Sequence, residues 1–334
     1  MHRRSFIGLA ALGVLAAGTG LVWRDYHRML DPAWVRTTQG RKLIPTRSGA
    51  MEYGEAGEGP PLLMIHGTGG GFDQGLAFAR RLSEAGWRVI APSRFGYLGS
   101  DFPEDASSAA QADAFVDLLD HLGIDRLPVL GGSAGALSAL SFAIRHPERC
   151  TALVPIVPAT HVPGRPAPRP PNRMSEAIIR WGLRSDLLFW AGLRFARDHM
   201  IASLLATDPA LVQAATPEEQ ARVDAILHGI LPVGAKSRGL LNDARLAGDP
   251  APLDLGAIRA PTLAVSVEDD RFGTAAAARH IAATVPGAEL LVFPEGGHVW
   301  VGHDEELLAA MHGFLGPRPE RPAGREPDPG PHGG

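Results

Sequence analysis

The clearest indication of the fold is one continuous segment, Leu127-Pro128-Val129-Leu130-Gly131-Gly132-Ser133-Ala134-Gly135. A short apolar run, typical of a strand, leads into Gly-x-Ser-x-Gly, and Leu137, Leu140 and Ile144 then recur at helical spacing. A serine at a sharp strand-to-helix turn has a strained backbone and presents its hydroxyl at the helix N-terminus, where the dipole favours developing negative charge. The pattern predicts that Ser133 is a nucleophile.

Apolar runs alternate with amphipathic stretches from about residue 40 onward. Short runs without internal alternation are typical of strands buried on both faces of a parallel sheet. Helical patterns follow Ser107-Ser108 and Asp304. The alternation predicts an α/β protein with a doubly wound, mostly parallel sheet. The predicted strands are residues 62–65, 88–91, 127–130, 152–157, 262–267 and 289–293.

The alternation is interrupted by about a hundred residues. We expect an α/β core over 40–157 and 257–315, with residues 158–256 forming a helical cap that opens with a Pro-rich run. The cap is richer in large aromatic residues than its surroundings, namely Trp181, Phe189, Trp190 and Phe195, and the first three are candidates for packing or for lining a pocket. Residues 316–334 hold six Pro and five Gly and are expected to be disordered.

A serine nucleophile needs a base and an orienting carboxylate. His298 follows the last predicted strand through a Gly-rich loop and is the expected base, with His303 as the fallback. His280 and His312 lie in helical patterns and are expected to be surface or packing residues. The strand ending at Val267 leads into Glu268-Asp269-Asp270, and we expect Asp270 to orient the base. The order Ser133, Asp270, His298 along the chain is the order found in triads whose serine lies in a Gly-x-Ser-x-Gly turn, which agrees with this choice.

An oxyanion hole needs backbone N–H groups close to the nucleophile. One is expected from Ala134, directly after Ser133. The second is expected from the loop His66-Gly67-Thr68-Gly69-Gly70-Gly71, with Thr68 as the preferred donor and Gly69 as the alternative. His66 is expected to fix the loop. A phosphate-binding loop is disfavoured because no Lys-Ser/Thr follows the glycines.

The composition of the chain limits its possible partners and the role of its cysteine. The chain has 334 residues, 45 % of them hydrophobic, and a net charge of −4, which argues against a nucleic-acid partner. Only two of its 32 basic residues are Lys, namely Lys42 and Lys236. The single cysteine, Cys150, has apolar neighbours and is expected to be a buried structural thiol.

The N-terminal segment 1–23 has the pattern of a targeting sequence. Arg3-Arg4-Ser5-Phe6 resembles the twin-arginine export signal and precedes the uncharged run Ile7–Trp23. No clear Ala-x-Ala cleavage site follows. We therefore expect either export to the periplasm or the cell exterior, or attachment to the bacterial inner membrane through residues 7–23; an ordinary N-terminal helix is the alternative.

The chain resembles the α/β-hydrolase superfamily over about residues 45–315. The oxyanion loop 66–70, the elbow 131–135 and the histidine loop Glu295-Gly296-Gly297-His298 carry the resemblance. The segment Ala91–Ser100 resembles the Asp-x-x-Gly-x-Gly-x-Ser turn of this family, with Ser93 in place of Asp. A serine nucleophile disfavours the haloalkane dehalogenase and epoxide hydrolase branches.

The resemblance implies hydrolysis of a small-molecule carboxylic ester or related acyl bond through an acyl-enzyme. It implies no metal or organic cofactor. Three alternatives share the same triad: a carbon–carbon bond hydrolase, an aminopeptidase similar to proline iminopeptidases, and a cofactor-free haloperoxidase or perhydrolase. A non-catalytic binding protein on the same fold is the alternative of another class.

Overall fold

The molecule is built on one eight-stranded sheet. The computed structural model describes residues 2–165 and 182–316. The strand order is β1-β2-β4-β3-β5-β6-β7-β8, with β1 and β2 antiparallel to their neighbours and the other strands parallel. The strands are β1 Lys42–Thr46, β2 Gly49–Ala56, β3 Pro61–Ile65, β4 Arg88–Pro92, β5 Leu127–Gly132, β6 Cys150–Ile156, β7 Leu263–Val267 and β8 Glu289–Phe293.

The predicted doubly wound sheet is confirmed, and all six predicted strands are present. The hairpin β1–β2 was not predicted, because its strands carry charged residues and Pro45 rather than a continuous apolar run. Such strands fit the antiparallel edge of a sheet, where Pro removes no central hydrogen bond.

Helices cover both faces of the sheet. The helices of the core are α2 Phe72–Phe78, α3 Arg80–Glu84, α4 Ser108–His121, α5 Gly135–Arg145, α11 Thr274–Thr284 and α12 Asp304–Leu315. Helices α4, α5 and α11 pack on one face of the sheet through one buried apolar cluster, and α2, α3 and α12 pack on the other face through a second. Each fully buried Leu or Phe in these clusters contributes about 1.5–3 kcal/mol to the free energy of unfolding.

The segment between β6 and β7 contains five described α-helices, two short 3-10 helices and no described strand. Polar side chains start three of them: Ser185, Asp208 and Thr216 accept hydrogen bonds from N–H groups of the first turn. Phe189 and Trp190 are buried, whereas Phe195 is 74 % exposed; Trp181 lies outside the described residues. The cap helices are α6 Asp186–Phe195, α7 Arg197–Leu204, α8 Pro209–Ala214, α9 Pro217–His228 and α10 Ser237–Leu246.

The N-terminal helix α1, His2–Arg36, runs past residue 23 and reaches the cap. Leu30 and Ala33 are buried in the same apolar cluster as residues of α6 to α10. Arg36 ends the helix, and its Nε donates to Asp73 Oδ2 at 2.8 Å. Within the described residues, no helix combines the length and apolarity that crossing a membrane requires.

Candidate active site

Ser133 lies in the turn between β5 and α5 with a φ of +50°. This left-handed conformation costs a residue with a Cβ about 1–2 kcal/mol. Backbone bonds hold it: the Ser133 N–H donates to the Ile156 carbonyl at 2.9 Å, and the Ser133 carbonyl accepts from Ala136 and Ala159. A Cβ on Gly135 would lie only 2.4 Å from the His66 carbonyl oxygen, which explains why a glycine stands two residues after the serine.

His298 lies in a short 3-10 turn, Gly297–Val299, that follows β8. Its Nε2 is 2.9 Å from Ser133 Oγ and its Nδ1 is 2.8 Å from Asp270 Oδ2. The Gly297 N–H donates to Asp269 Oδ1 at 2.8 Å, which fixes the loop that carries the imidazole. The structure therefore brings together the three side chains that the sequence singles out as nucleophile, base and acid.

Asp270 is 4 % exposed and is held by several donors. Its Oδ1 accepts the Phe272 N–H at 2.8 Å, and its Oδ2 also accepts the Thr274 hydroxyl. Burial by itself would raise the pKa of Asp270, but the hydrogen bond and charge of His298, together with the Thr274 and Phe272 donors, bring it below the usual value. The carboxylate is thus ionised and can orient a His298 that carries its proton on Nδ1.

The expected oxyanion donors lie on the two loops that meet at Ser133. A Cβ on Gly67 would be 3.3 Å from the Ser133 Cβ, so the loop after β3 packs against the elbow. The Gly69 N–H is already bonded to the Tyr97 hydroxyl at 3.2 Å. Within the described part of the chain, the N–H groups of Thr68 and Ala134 have no protein acceptor. This favours Thr68 over Gly69.

A buried polar network supports the loop after β3, and its members were not predicted as site residues. Arg94 donates to both carboxylate oxygens of Asp243, at 2.6 and 2.5 Å, and Tyr97 donates to the same carboxylate at 2.6 Å. Asp243 lies on cap helix α10, about 150 positions from Arg94 along the chain. No local sequence pattern connects residues so far apart.

Lys236 is fully buried behind the same loop. Its Nζ donates to the carbonyls of Gly229 and Gly69, at 2.7 and 3.2 Å, and lies 3.8 Å from Asp73 Oδ2. Burial lowers the pKa of Lys236 to about 8, against the opposing attraction of Asp73. A lysine in a chain that otherwise uses arginine was a signal that could have pointed to this position.

Ser93 replaces the usual aspartate of its turn, and a carboxylate from β2 lies beside it. The Ser93 hydroxyl donates to Glu52 Oε2 at 2.8 Å and accepts the Phe72 N–H at 2.9 Å. Glu52 also accepts the Gly99 N–H, and burial raises its pKa. The segment Ala91–Ser100 is thus a hydrogen-bonded turn in which Glu52 supplies an acceptor.

The remaining candidate residues lie outside this constellation. His303 stacks on Phe293 and bonds to Glu306 at the start of α12, so it does not replace His298. His280 lies on α11 and His312 on α12. Cys150 is 6 % exposed, and burial raises its pKa to about 12, as expected for an unreactive thiol. The described residues contain no group of three side chains suited to holding a metal ion.

A cavity of about 510 Å³ lies between cap helix α9 and the core helices α2, α3 and α12. It reaches Gly132, the residue before Ser133, and Gln74, whose Oε1 accepts the Gly67 N–H at 3.0 Å, whereas Ser133, His298 and Asp270 do not line it. Its walls are predominantly apolar and also include several charged side chains. The apolar residues include Met64, Phe78, Leu130, Ile156, Trp300 and Leu307.

Comparison with known proteins agrees with this architecture. The sequence model of the alpha/beta hydrolase fold matches residues 60–301. A 2-hydroxy-6-oxononadienedioate/2-hydroxy-6-oxononatrienedioate hydrolase from Paraburkholderia xenovorans is 30 % identical over 275 residues, 79 % of this chain and 90 % of the relative. The chain belongs to the α/β-hydrolase fold family and is a hydrolase.

Two solved structures share the fold. The esterase of Exiguobacterium antarcticum superposes with a TM-score of 0.63 at 21 % identity, over 82 % of this chain and 98 % of the esterase. A bacterial membrane phospholipase A superposes with a TM-score of 0.57 at 24 % identity, over 94 % of this chain and 98 % of the phospholipase.

Proposed function

We propose that the protein is a serine hydrolase that cleaves a carboxylic ester or related acyl bond through an acyl-enzyme. The observation that carries this proposal is the continuous hydrogen-bonded series Ser133–His298–Asp270, with distances of 2.9 and 2.8 Å. A hydroxyl becomes an effective nucleophile when an adjacent imidazole can take its proton and a carboxylate fixes that imidazole.

The proposed reaction has two halves. Ser133 Oγ attacks the ester carbonyl while His298 Nε2 takes the hydroxyl proton, and the N–H groups of Thr68 and Ala134 stabilise the resulting oxyanion. His298 then gives that proton to the departing alkoxide, which leaves an acyl group on Ser133. A water molecule, deprotonated by His298, attacks the acyl carbon; the bond to Ser133 Oγ breaks, Oγ takes the proton back from His298, and the carboxylic acid is released. Asp270 stays ionised and stabilises the imidazolium in both halves.

We propose an apolar acyl or aromatic group as the substrate moiety nearest the elbow. The predominantly apolar cavity that reaches Gly132 supports this assignment, because burying apolar substrate surface there is favourable. A small charged ester has less apolar surface to bury against these walls.

Carbon–carbon bond hydrolysis is the second candidate, favoured by the name of the Paraburkholderia xenovorans relative. The dienedioate in that name carries two carboxylates, which require cationic partners. In the described residues, the two buried cations beside the oxyanion loop are Arg94 and Lys236, and both are already hydrogen-bonded to protein acceptors. The arginines that line the cavity are likewise paired with protein carboxylates, so a neutral ester fits this arrangement better than a dicarboxylate; they are Arg36, Arg80, Arg81 and Arg222.

Labelling with a fluorophosphonate tests the proposed nucleophile. We expect the wild type to be labelled, Ser133→Ala to lose labelling, and Asp270→Asn and His298→Ala to be slowed by at least about 100-fold. Ser203→Ala, which removes an exposed hydroxyl on α7, is the matched control and should label normally. A folded wild type that is not labelled would contradict the proposal.

A substrate panel then separates the bond types. It comprises p-nitrophenyl esters of increasing chain length, a 2-hydroxy-6-oxodienoate and a prolyl amide. Faster turnover of the dienoate than of every ester would favour the second candidate over the first. Faster turnover of the prolyl amide would favour an aminopeptidase.

We further propose that residues 1–23 direct the chain to the cell envelope. The Arg3-Arg4 pair before an uncharged run supports this, as does the match to the membrane phospholipase A, which extends over 94 % of this chain against 82 % for the esterase. The test is cell fractionation of the wild type and of Arg3→Lys/Arg4→Lys. Recovery of both in the cytosolic fraction would contradict the proposal.

A further inference from the structure

The peptide unit between Gly67 and Thr68 is held by its carbonyl oxygen. The Gly67 oxygen lies 2.7 Å from His66 Nδ1, 3.1 Å from Arg94 Nη2 and 3.3 Å from the Gly70 N–H. A trans peptide is planar, so its N–H points opposite to its C=O. Fixing the Gly67 carbonyl therefore fixes the direction of the Thr68 N–H.

Arg94 takes part in this arrangement through both its main chain and its side chain. Its backbone N–H donates to His66 Nε2 at 2.9 Å. With Nε2 acting as an acceptor, the proton of a neutral His66 lies on Nδ1, which then donates to the Gly67 carbonyl. The guanidinium adds a second donor to the same oxygen. Both contacts act on the one peptide unit that carries the Thr68 N–H.

The guanidinium is itself fixed by the cap. Arg94 is 5 % exposed and Asp243 is 2 % exposed, and they form a bidentate ion pair. Tyr97 donates to Asp243 Oδ2 and accepts the Gly69 N–H, so the next peptide of the loop is tied to the same carboxylate. A planar fork between two oxygens leaves the guanidinium little freedom to rotate.

We propose that Arg94 is a positioning residue for the oxyanion hole, and that Asp243 of helix α10 sets its position. The inference rests on the proposed function, since it assumes that the Thr68 N–H meets a developing oxyanion. Arg94 does not touch the substrate. It acts through the Gly67–Thr68 peptide, so its loss weakens an interaction that forms in the transition state and leaves substrate binding unaltered.

The test is the double variant Arg94→Met/Asp243→Asn, which removes both charges and leaves no unpaired ion in the interior. We expect kcat for a p-nitrophenyl ester to fall by about 10- to 100-fold, less than the loss of a whole oxyanion donor, with KM nearly unchanged. The affinity of a boronic acid that forms a tetrahedral adduct on Ser133 should fall by a similar factor. The pH profile of kcat/KM should keep its midpoint, because the contacts of His298 are untouched.

The matched control is Arg145→Met/Asp113→Asn, which removes an exposed bidentate pair between α5 and α4. It should leave kcat and boronic acid affinity unchanged. Arg94→Lys provides a second variant if the first fails to fold, because one ammonium cannot reproduce the fork and also reach the Gly67 carbonyl. Its kcat should also fall at constant KM.

Two results would overturn the inference: an increase in KM at constant kcat, or unchanged boronic acid affinity in a folded Arg94 variant. Fluorophosphonate labelling of the wild type distinguishes this failure from failure of the proposed function. A labelled wild type with unaffected Arg94 variants contradicts only the role of Arg94. An unlabelled wild type removes both proposals.

Discussion

Ionised side chains behind the oxyanion loop are kept in the interior by one another. Asp73, 6 % exposed, lies between the guanidinium of Arg36 and the ammonium of Lys236. Moving an isolated ion out of water costs several kcal/mol, which pairing and hydrogen bonds only partly offset. The two backbone carbonyls bonded to Lys236 satisfy two of the three donors of its ammonium and cannot restore full hydration.

Lys236 makes the stability of the protein depend on pH in the alkaline range. Because its pKa is about 8 in the folded chain and near 10.5 when unfolded, the unfolded state binds more protons between these values. Stability attributable to this group is therefore lowest below pH 8 and increases as pH rises. We expect the unfolding free energy of the wild type minus that of Lys236→Met to rise by roughly 3 kcal/mol from pH 7.5 to 10.5.

Urea denaturation at several pH values measures this difference. Lys42→Met is the control, since Lys42 is the other lysine of the chain and is exposed. The hydrogen bond and charge of Glu55 raise the pKa of Lys42. The unfolding free energy of the wild type minus that of Lys42→Met should therefore not increase over this pH range. A flat curve for Lys236 would show that the ammonium is hydrated in the folded protein.

At the scale of elements, β5, the elbow and α5 form one unit whose geometry depends on small residues. The left-handed backbone of Ser133 is imposed by hydrogen bonds from β6 and the segment after it, and by the close approach of the loop after β3. Strain of this kind persists only where the surrounding structure holds it.

The strain at the elbow predicts an order of stability among variants that lack the hydroxyl. Ser133→Gly relieves a cost of about 1–2 kcal/mol in the folded state, offset partly by the greater freedom of glycine when unfolded. We expect Ser133→Gly to unfold at higher denaturant concentration than Ser133→Ala. The opposite order would mean that the φ of +50° is not strained in this protein.

Local patterns were sufficient for the elements that the site needs. Six parallel strands, the elbow and the loops carrying Asp270 and His298 were predicted, because parallel strands are continuous apolar runs and their C-terminal ends meet at one edge. The β1–β2 hairpin was missed because charged residues and Pro45 interrupt its runs. The pair Arg94–Asp243 was missed because tertiary folding, rather than any sequence period, brings these residues together.

At the scale of the whole molecule, the cap and the core enclose the cavity between them. Helix α9 supplies its outer wall and the sheet residues Met64, Leu130 and Ile156 its inner wall. On the proposed function, the cap can therefore limit substrate size without any change in the residues that carry the proposed chemistry.

A larger side chain on α9 should shorten the acyl chain that the enzyme accepts. Ala225 lines the cavity, and Ala225→Trp would fill part of its volume of about 510 Å³. We expect kcat/KM to fall for long-chain p-nitrophenyl esters and to be retained for the acetate. Ala210→Trp, on an exposed position of α8, is the control. An equal loss for all chain lengths would show that the cavity does not receive the acyl group.

The bidentate pair between Arg94 and Asp243 also limits how freely this protein can be recombined with its relatives. A chimera that joined this core to a foreign cap would lose Asp243, and Arg94 would become an unpaired cation in the interior. It would lose Lys236 as well, and with it the donor to the Gly69 carbonyl. Cap and core are therefore expected to be inherited together, and an exchange should succeed only when the incoming cap carries both partners.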